Sequence, residues 1–109
     1  MIYTSNFKKS GTNNKAISIA LSAPYWYKGH KMPALYPTWD IVNNYKNGFI
    51  TKEQYKQEYG ALLYTRGIKI TKMIPDEAIL LCWEDEGYFC HRHFIANWLN
   101  ANGIKTMEI

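Results

Sequence analysis

Cys82, Glu84, Cys90, His91 and Arg92 fall within one short stretch, AILLCWEDEGYFCHRHFIANWLN, residues 78–100. A thiol beside an imidazole can act as a nucleophile with its base, and a neighbouring guanidinium can neutralise an anion or a developing charge. Cys90 stands where a helix should begin. Free backbone amides and the positive end of the helix dipole favour anions and thiolates there. Glu84, just past an apolar run, is placed to act as a general acid or base or to hold a ribose hydroxyl. Helical periodicity sorts the cluster. Phe94, Ile95, Trp98 and Leu99 make an apolar face, with His91 on its side and Arg92 at its margin, whereas His93 falls toward solvent. Cys90, His91 and Arg92 therefore rank above His93.

Each residue also has an ordinary reading. Cys90 and Cys82 can be small packed residues, His91 can bond the preceding loop, and Arg92 can pair with Glu84 or Asp85. Cys82 ends a buried run and reads as packed rather than reactive. The adjacency of thiol, imidazole and guanidinium after a buried strand argues for function. As metal ligands, Cys82, Cys90, His91 and His93 would form Cys-x7-Cys-His-x-His, which is no familiar zinc spacing, so neither a metal nor another cofactor is expected.

The elements that must hold this cluster are a strand over Ala78–Trp83, a helix over about 90–101 and a closing strand over 104–109. The first is the longest apolar run in the chain and suits a central parallel strand. Strand, helix and strand at this spacing make a parallel crossover. Upstream, Ile2–Ser5 and Ala16–Leu21 read as strands, with the polar 8–14 stretch an exposed loop. Thr38 caps a helix that ends at Asn47-Gly48, and Thr51 with Gln54 forms a capping box for a second helix ending near Arg66-Gly67. Both helices read as structural. The segment 68–74 alternates apolar and polar residues and is expected as a short strand or an extended linker. The fold class is α/β: a small three-layer Rossmann-like fold with a mainly parallel sheet, in one domain over residues 1–109.

In such sheets ligands sit beyond the carboxyl ends of the strands. Ser5, Asn6 and the Ser22–Pro24 turn are expected at that edge. The loop that follows carries Tyr25, Trp26, Tyr27 and Lys28, whose rings could stack on a base while the ammonium meets a phosphate. These rings could equally cover the edge of the sheet.

The 109 residues are 47% hydrophobic and 20% charged, a globular balance. Net charge is +4 from 13 basic and 9 acidic residues, which favours an anionic partner. The lysines are scattered, so a nucleic-acid groove is the lesser expectation. No apolar run is long enough to span a membrane or to serve as an export signal. A cytoplasmic protein with reduced thiols is expected.

The block LLCWEDEGYFCHRHFIANWL, with the terminal Gly-Ile strand, resembles the signature of the domain-of-unknown-function 488 family, in its short bacterial and phage-type members. The opening Ile-Tyr-Thr-Ser-Asn-Phe, the Ile-Ser-Ile-Ala segment, the Trp-Tyr-Lys-Gly loop and the Tyr-x-x-Gly-x-Ile-x-x-x-x-Tyr helix are similar too. The resemblance spans nearly the whole chain; Trp83 stands where a tyrosine or small residue is often found. It implies a Rossmann-like domain with a site at Cys82, Glu84, Cys90, His91 and Arg92, and no reaction. Three functions are open. One is binding of a nucleotide-like or phosphorylated small molecule, with or without catalysis by Cys90 or Glu84. The others are a non-enzymatic phage or bacterial accessory that sequesters a signalling nucleotide or blocks a defence protein, and a nucleic-acid-binding module.

Overall fold

The computed structural model describes residues 1–67, 70–83 and 90–109. Its centre is a sheet of five short parallel strands: β1 (Ile2–Asn6), β2 (Ala16–Ser18), β3 (His30–Lys31), β4 (Ile79–Cys82) and β5 (Thr106–Glu108), in the order β3-β2-β4-β1-β5. The apolar run around β4 takes the middle place, and all four of its residues are buried. A strand flanked on both sides and covered on both faces has no polar side to show, so an unbroken apolar sequence suits it. Full burial of Leu80 and Leu81 contributes about 1.5–3 kcal/mol each. Asn6 lies opposite Cys82, and Thr4 opposite both Leu80 and Glu108, so the carboxyl ends of β1, β4 and β5 reach one edge.

Successive strand residues point to opposite faces, and the core divides accordingly. Ile17 and Leu80 face a cluster that contains Ile41, Tyr55, Tyr59, Leu63, Ile95 and Leu99. These come from α2 (Trp39–Lys46), α3 (Lys52–Arg66) and α5 (His91–Ala101). Ala16, Ile79 and Leu81 face a second, smaller cluster with Phe7 and Tyr27. Here the cover is the single turn α1 (Phe7–Ser10) and the loop after β2. The fold is thus a small α/β Rossmann-like domain with its longer helices on one face.

The helix boundaries follow local chemistry. The Thr38 hydroxyl accepts the Ile41 N–H at 3.2 Å, which starts α2. Thr51 and Gln54 cap each other at 3.1 and 2.7 Å, and α3 stops at Gly67, whose φ of 102° only glycine adopts freely. Two expectations fail. Residues Ile70–Met73 form a helical turn, α4, where a strand or an extended linker is expected; alternation makes a strand only where a neighbouring strand accepts it. The stretch read as a polar loop after β1 begins with α1, because the Asn6 side chain accepts the Lys9 N–H at 2.8 Å and so caps a turn. Among the described residues no helix is long and apolar enough to cross a membrane.

Candidate functional site

A cavity of about 280 Å³ opens at the carboxyl edge of β2 and β4. One side is the chain leaving these strands, Ala20–Ser22 and Cys82-Trp83, together with the start of α5. The opposite wall is Trp39, Tyr45 and Lys46 of α2 and Tyr55 of α3. The Trp83 indole N–H donates to the Ser22 carbonyl at 2.7 Å, which ties the two strand exits together. The volume is near the lower end for small-molecule sites, with aromatic walls and few polar groups, as such sites usually have.

At the inner end lie Cys82, Cys90 and His91. β4 delivers Cys82 and the start of α5 delivers the other two, all of them buried. Their donor atoms fall within 4.8 Å of one another. The Cys90 Sγ is 3.6 Å from His91 Nδ1, while His91 Nε2 lies 2.7 Å from the Ile19 carbonyl oxygen. A carbonyl only accepts, so Nε2 carries the proton and Nδ1 turns its lone pair toward the sulfur. Burial pushes His91 down to about 4, helped by the charges of Arg92 and His93 and opposed by the Ile19 hydrogen bond. The imidazole is therefore neutral at pH 7. The Tyr59 ring packs edge-on against it at 5.5 Å, and the Tyr59 hydroxyl donates to the Leu35 carbonyl at 2.6 Å.

Arg92 is 0% exposed. It donates through Nη1 to Cys82 Sγ at 3.2 Å and through Nε to both Glu108 carboxylate oxygens at 3.1 Å, with Nη2 3.0 Å from Oε2. The Thr4 hydroxyl donates to Glu108 Oε1 at 2.6 Å. Burial pushes the Glu108 carboxyl up, but the hydrogen bonds from Arg92 and Thr4 outweigh it and hold the group below the usual carboxylate range. The result is a buried ion pair reaching from the last strand to the sulfur of Cys82, where the guanidinium favours negative charge.

The residues singled out in the sequence divide into those at the cavity and those elsewhere. Cys82, Cys90 and His91 line it, and Arg92 stands behind Cys82. The cysteines are not the reduced pair expected: the structure joins Cys82 and Cys90 as a disulfide, because the end of β4 and the start of α5 bring the two sulfurs together. Glu84 and Asp85 lie outside the described residues, and the partner observed for Arg92 is Glu108. Ser5 shares a hydrogen bond with the Ser10 hydroxyl at 2.8 Å, and Asn6 caps α1.

The Tyr25–Lys28 segment does not line the cavity. Tyr27 is buried against Phe7 with its hydroxyl on the His30 carbonyl at 2.6 Å, and the Trp26 ring lies over Gly11. Tyr25 is 99% exposed, and Lys28 is exposed as well. Tyr27 packs with Phe7 in the second core cluster, and the walls of the cavity come from other segments. His93 accepts the Cys90 N–H at Nδ1 over 3.2 Å and helps cap α5.

The aromatic wall and Glu108 were not singled out in the sequence. Trp39 falls at the first position of α2 and Tyr45 and Tyr55 in apolar stripes, so periodicity assigns them to packing. Glu108 at the end of a terminal strand carries a weak signal: a carboxylate at the carboxyl edge where a buried arginine needs a counter-charge. Comparison of the chain with protein-family models, with curated proteins and with solved structures gives no match in any of the three.

Proposed function

We propose that this protein binds a nucleotide-like small molecule in the cavity between α2 and the carboxyl edge of β2 and β4, with the cysteine pair at the inner end as its chemical group. The observation that carries this reading is the joint placement of Trp39, Tyr45 and Tyr55 along one wall and of Cys82, Cys90 and His91 at the end of one 280 Å³ cavity. A planar base stacks on exposed aromatic faces, and Trp39 is 54% exposed. Lys46 on the same wall supplies a cation for a phosphate. The resemblance of the 82–92 block to the domain-of-unknown-function 488 family supports the choice of the cysteines, His91 and Arg92, and names no ligand.

Native mass spectrometry of freshly purified protein, followed by titration with adenosine and guanosine monophosphates read by quenching of Trp39 and Trp83, tests this reading. One equivalent is expected to bind. Trp39→Ala should weaken binding by roughly 5- to 150-fold, since stacking on an aromatic side chain contributes about 1–3 kcal/mol. Absence of binding into the millimolar range, or a Trp39→Ala variant that binds like the parent, would overturn the proposal. Binding of single-stranded nucleic acid instead, with affinity falling steeply as salt rises, would transfer the chain to the nucleic-acid class.

A further inference from the structure

Three side chains that can ligate a metal meet at the inner end of the cavity, two of them joined as a disulfide, and nucleotide binding does not require their grouping. We infer that, when the cysteines are reduced, Cys82 Sγ, Cys90 Sγ and His91 Nδ1 hold one zinc-like divalent cation whose fourth position opens on the cavity. The donor atoms lie within 4.8 Å of one another, and all three residues are buried. On a tetrahedral zinc ion, with bonds of about 2.3 Å to sulfur and 2.0–2.1 Å to nitrogen, two ligand atoms stand roughly 3.3–3.8 Å apart. Cys90 Sγ and His91 Nδ1 are 3.6 Å apart, within that span.

Three further features favour a metal. Metal-binding histidines almost always donate their other ring N–H to a carbonyl or carboxylate, which fixes the tautomer and aims the lone pair. His91 Nε2 does this with the Ile19 carbonyl at 2.7 Å. The backbone also sets the cysteines apart. Their Cα atoms are 7.2 Å apart, which leaves room for two thiolates on one ion once the disulfide is reduced. The Cys82 sulfur receives a hydrogen bond from Arg92 at 3.2 Å, the kind of outer contact that steadies a metal-bound thiolate.

The donor set narrows the metal. Two soft thiolates and one imidazole suit zinc over magnesium, calcium or manganese, which prefer oxygen. Two sulfurs and one nitrogen with an open fourth position correspond to catalytic rather than structural zinc sites. The sequence spacing argues against a familiar zinc motif, but spacing rules describe ligands on short loops. Here Cys82 ends a strand, and Cys90 and His91 start a helix. The chemistry balances through the disulfide: a phosphine reductant supplies two electrons, two protons from water give two thiols, and the cation displaces those protons on binding.

The site rests on donor geometry and not on the nucleotide reading, and the two are tested separately. Protein is reduced with a phosphine under argon, stripped with a chelator and titrated with cobalt(II) in the absence of nucleotide. One equivalent is expected to produce the intense visible bands of a tetrahedral ion and thiolate-to-cobalt absorption in the near ultraviolet, and one equivalent of zinc should abolish both. Cys82→Ser and Cys90→Ser should each weaken uptake at least about tenfold and reduce the thiolate absorption, and His91→Gln should shift the visible bands. Protein with the disulfide intact should take up no cobalt, a control that needs no variant to fold. The inference is overturned if the reduced, folded parent takes up no stoichiometric cobalt. It is equally overturned by a six-coordinate spectrum without thiolate absorption, or by uptake that is the same in the oxidised protein.

Discussion

Glu108→Ala is the substitution that most directly tests how the site is held. Glu108 ends the last strand and is 29% exposed, while its partner Arg92 is 0% exposed. Removing the carboxylate takes away both Nε contacts at 3.1 Å, the Nη2 contact at 3.0 Å and the acceptor of the Thr4 hydroxyl at 2.6 Å. Breaking a buried ion pair by deleting one partner costs about 3–5 kcal/mol, because the other charge is left in a low-dielectric setting. Water reaches the carboxylate side, so the lower end, about 3 kcal/mol, is expected. With a urea slope of about 1.5 kcal/mol per molar for a domain of this size, the unfolding midpoint should fall by roughly 2 M. Met107→Ala, on the same strand and largely exposed, serves as the control and should stay within about 0.5 kcal/mol of the parent. Combining Glu108→Ala with Arg92→Met should recover much of the loss, since the stranded charge is then gone. A Glu108→Ala variant within about 1 kcal/mol of the parent, or a double variant no more stable than the single one, would refute the assignment of this pair as a buried anchor.

Acid should destabilise the metal-free protein through His91. Its folded pKa of about 4 lies below the unfolded 6.5, so the unfolded chain binds the proton first, and stability present above pH 6.5 is lost progressively down to about pH 4. The shift corresponds to roughly 3 kcal/mol, readable as urea midpoints across that window, and a His91→Gln variant should flatten the slope. Glu108, held below the usual carboxylate range, adds a further loss as pH falls through its folded pKa, and Glu108→Gln should remove that part. Tyr59→Phe leaves the buried Leu35 carbonyl without its 2.6 Å donor and should cost about 1–2 kcal/mol by thermal unfolding. Thr51→Ala removes the α3 cap and should cost about 1 kcal/mol, with helix content falling first at that end by hydrogen exchange.

The architecture was readable where one local rule decided the structure. An unbroken apolar run had to be a central strand, and Thr51 followed by Gln54 had to start a helix. Those rules act over a few residues and need no knowledge of the rest of the chain. The cavity wall was not readable in this way. Trp39, Tyr45 and Tyr55 sit at helical spacing, where a ring that faces core and a ring that faces a cavity look alike. The Tyr25-Trp26-Tyr27 run is an aromatic cluster in the sequence, yet Tyr27 packs with Phe7 in the smaller core cluster, and no local pattern says what a loop will cover. The sequence offers Arg92 two nearby acids, Glu84 and Asp85. Glu108 is sixteen residues away and meets Arg92 because β5 lies beside β1, under the start of α5.

The same geometry bears on what the sulfurs can do. Arg92 faces Cys82 as a cation already matched by Glu108, and His91 faces Cys90 as a neutral base. Among the described residues, then, one buried positive charge touches the Cys82 sulfur and is balanced by one carboxylate. Two thiolates there would leave two unmatched negative charges in a site where burial is enough to keep an imidazole neutral. Three arrangements avoid this: both sulfurs protonated, a bond between them, or a divalent cation that cancels both charges. The first gives up the benefit of the Arg92 contact, which is greatest for an anion. The second is the state observed. The third keeps both thiolates and uses the lone pair that Ile19 holds in place on His91. The second presents a disulfide, open to attack by a thiolate, and the third a Lewis-acidic cation, so the redox state of two residues would decide which chemistry the cavity can support.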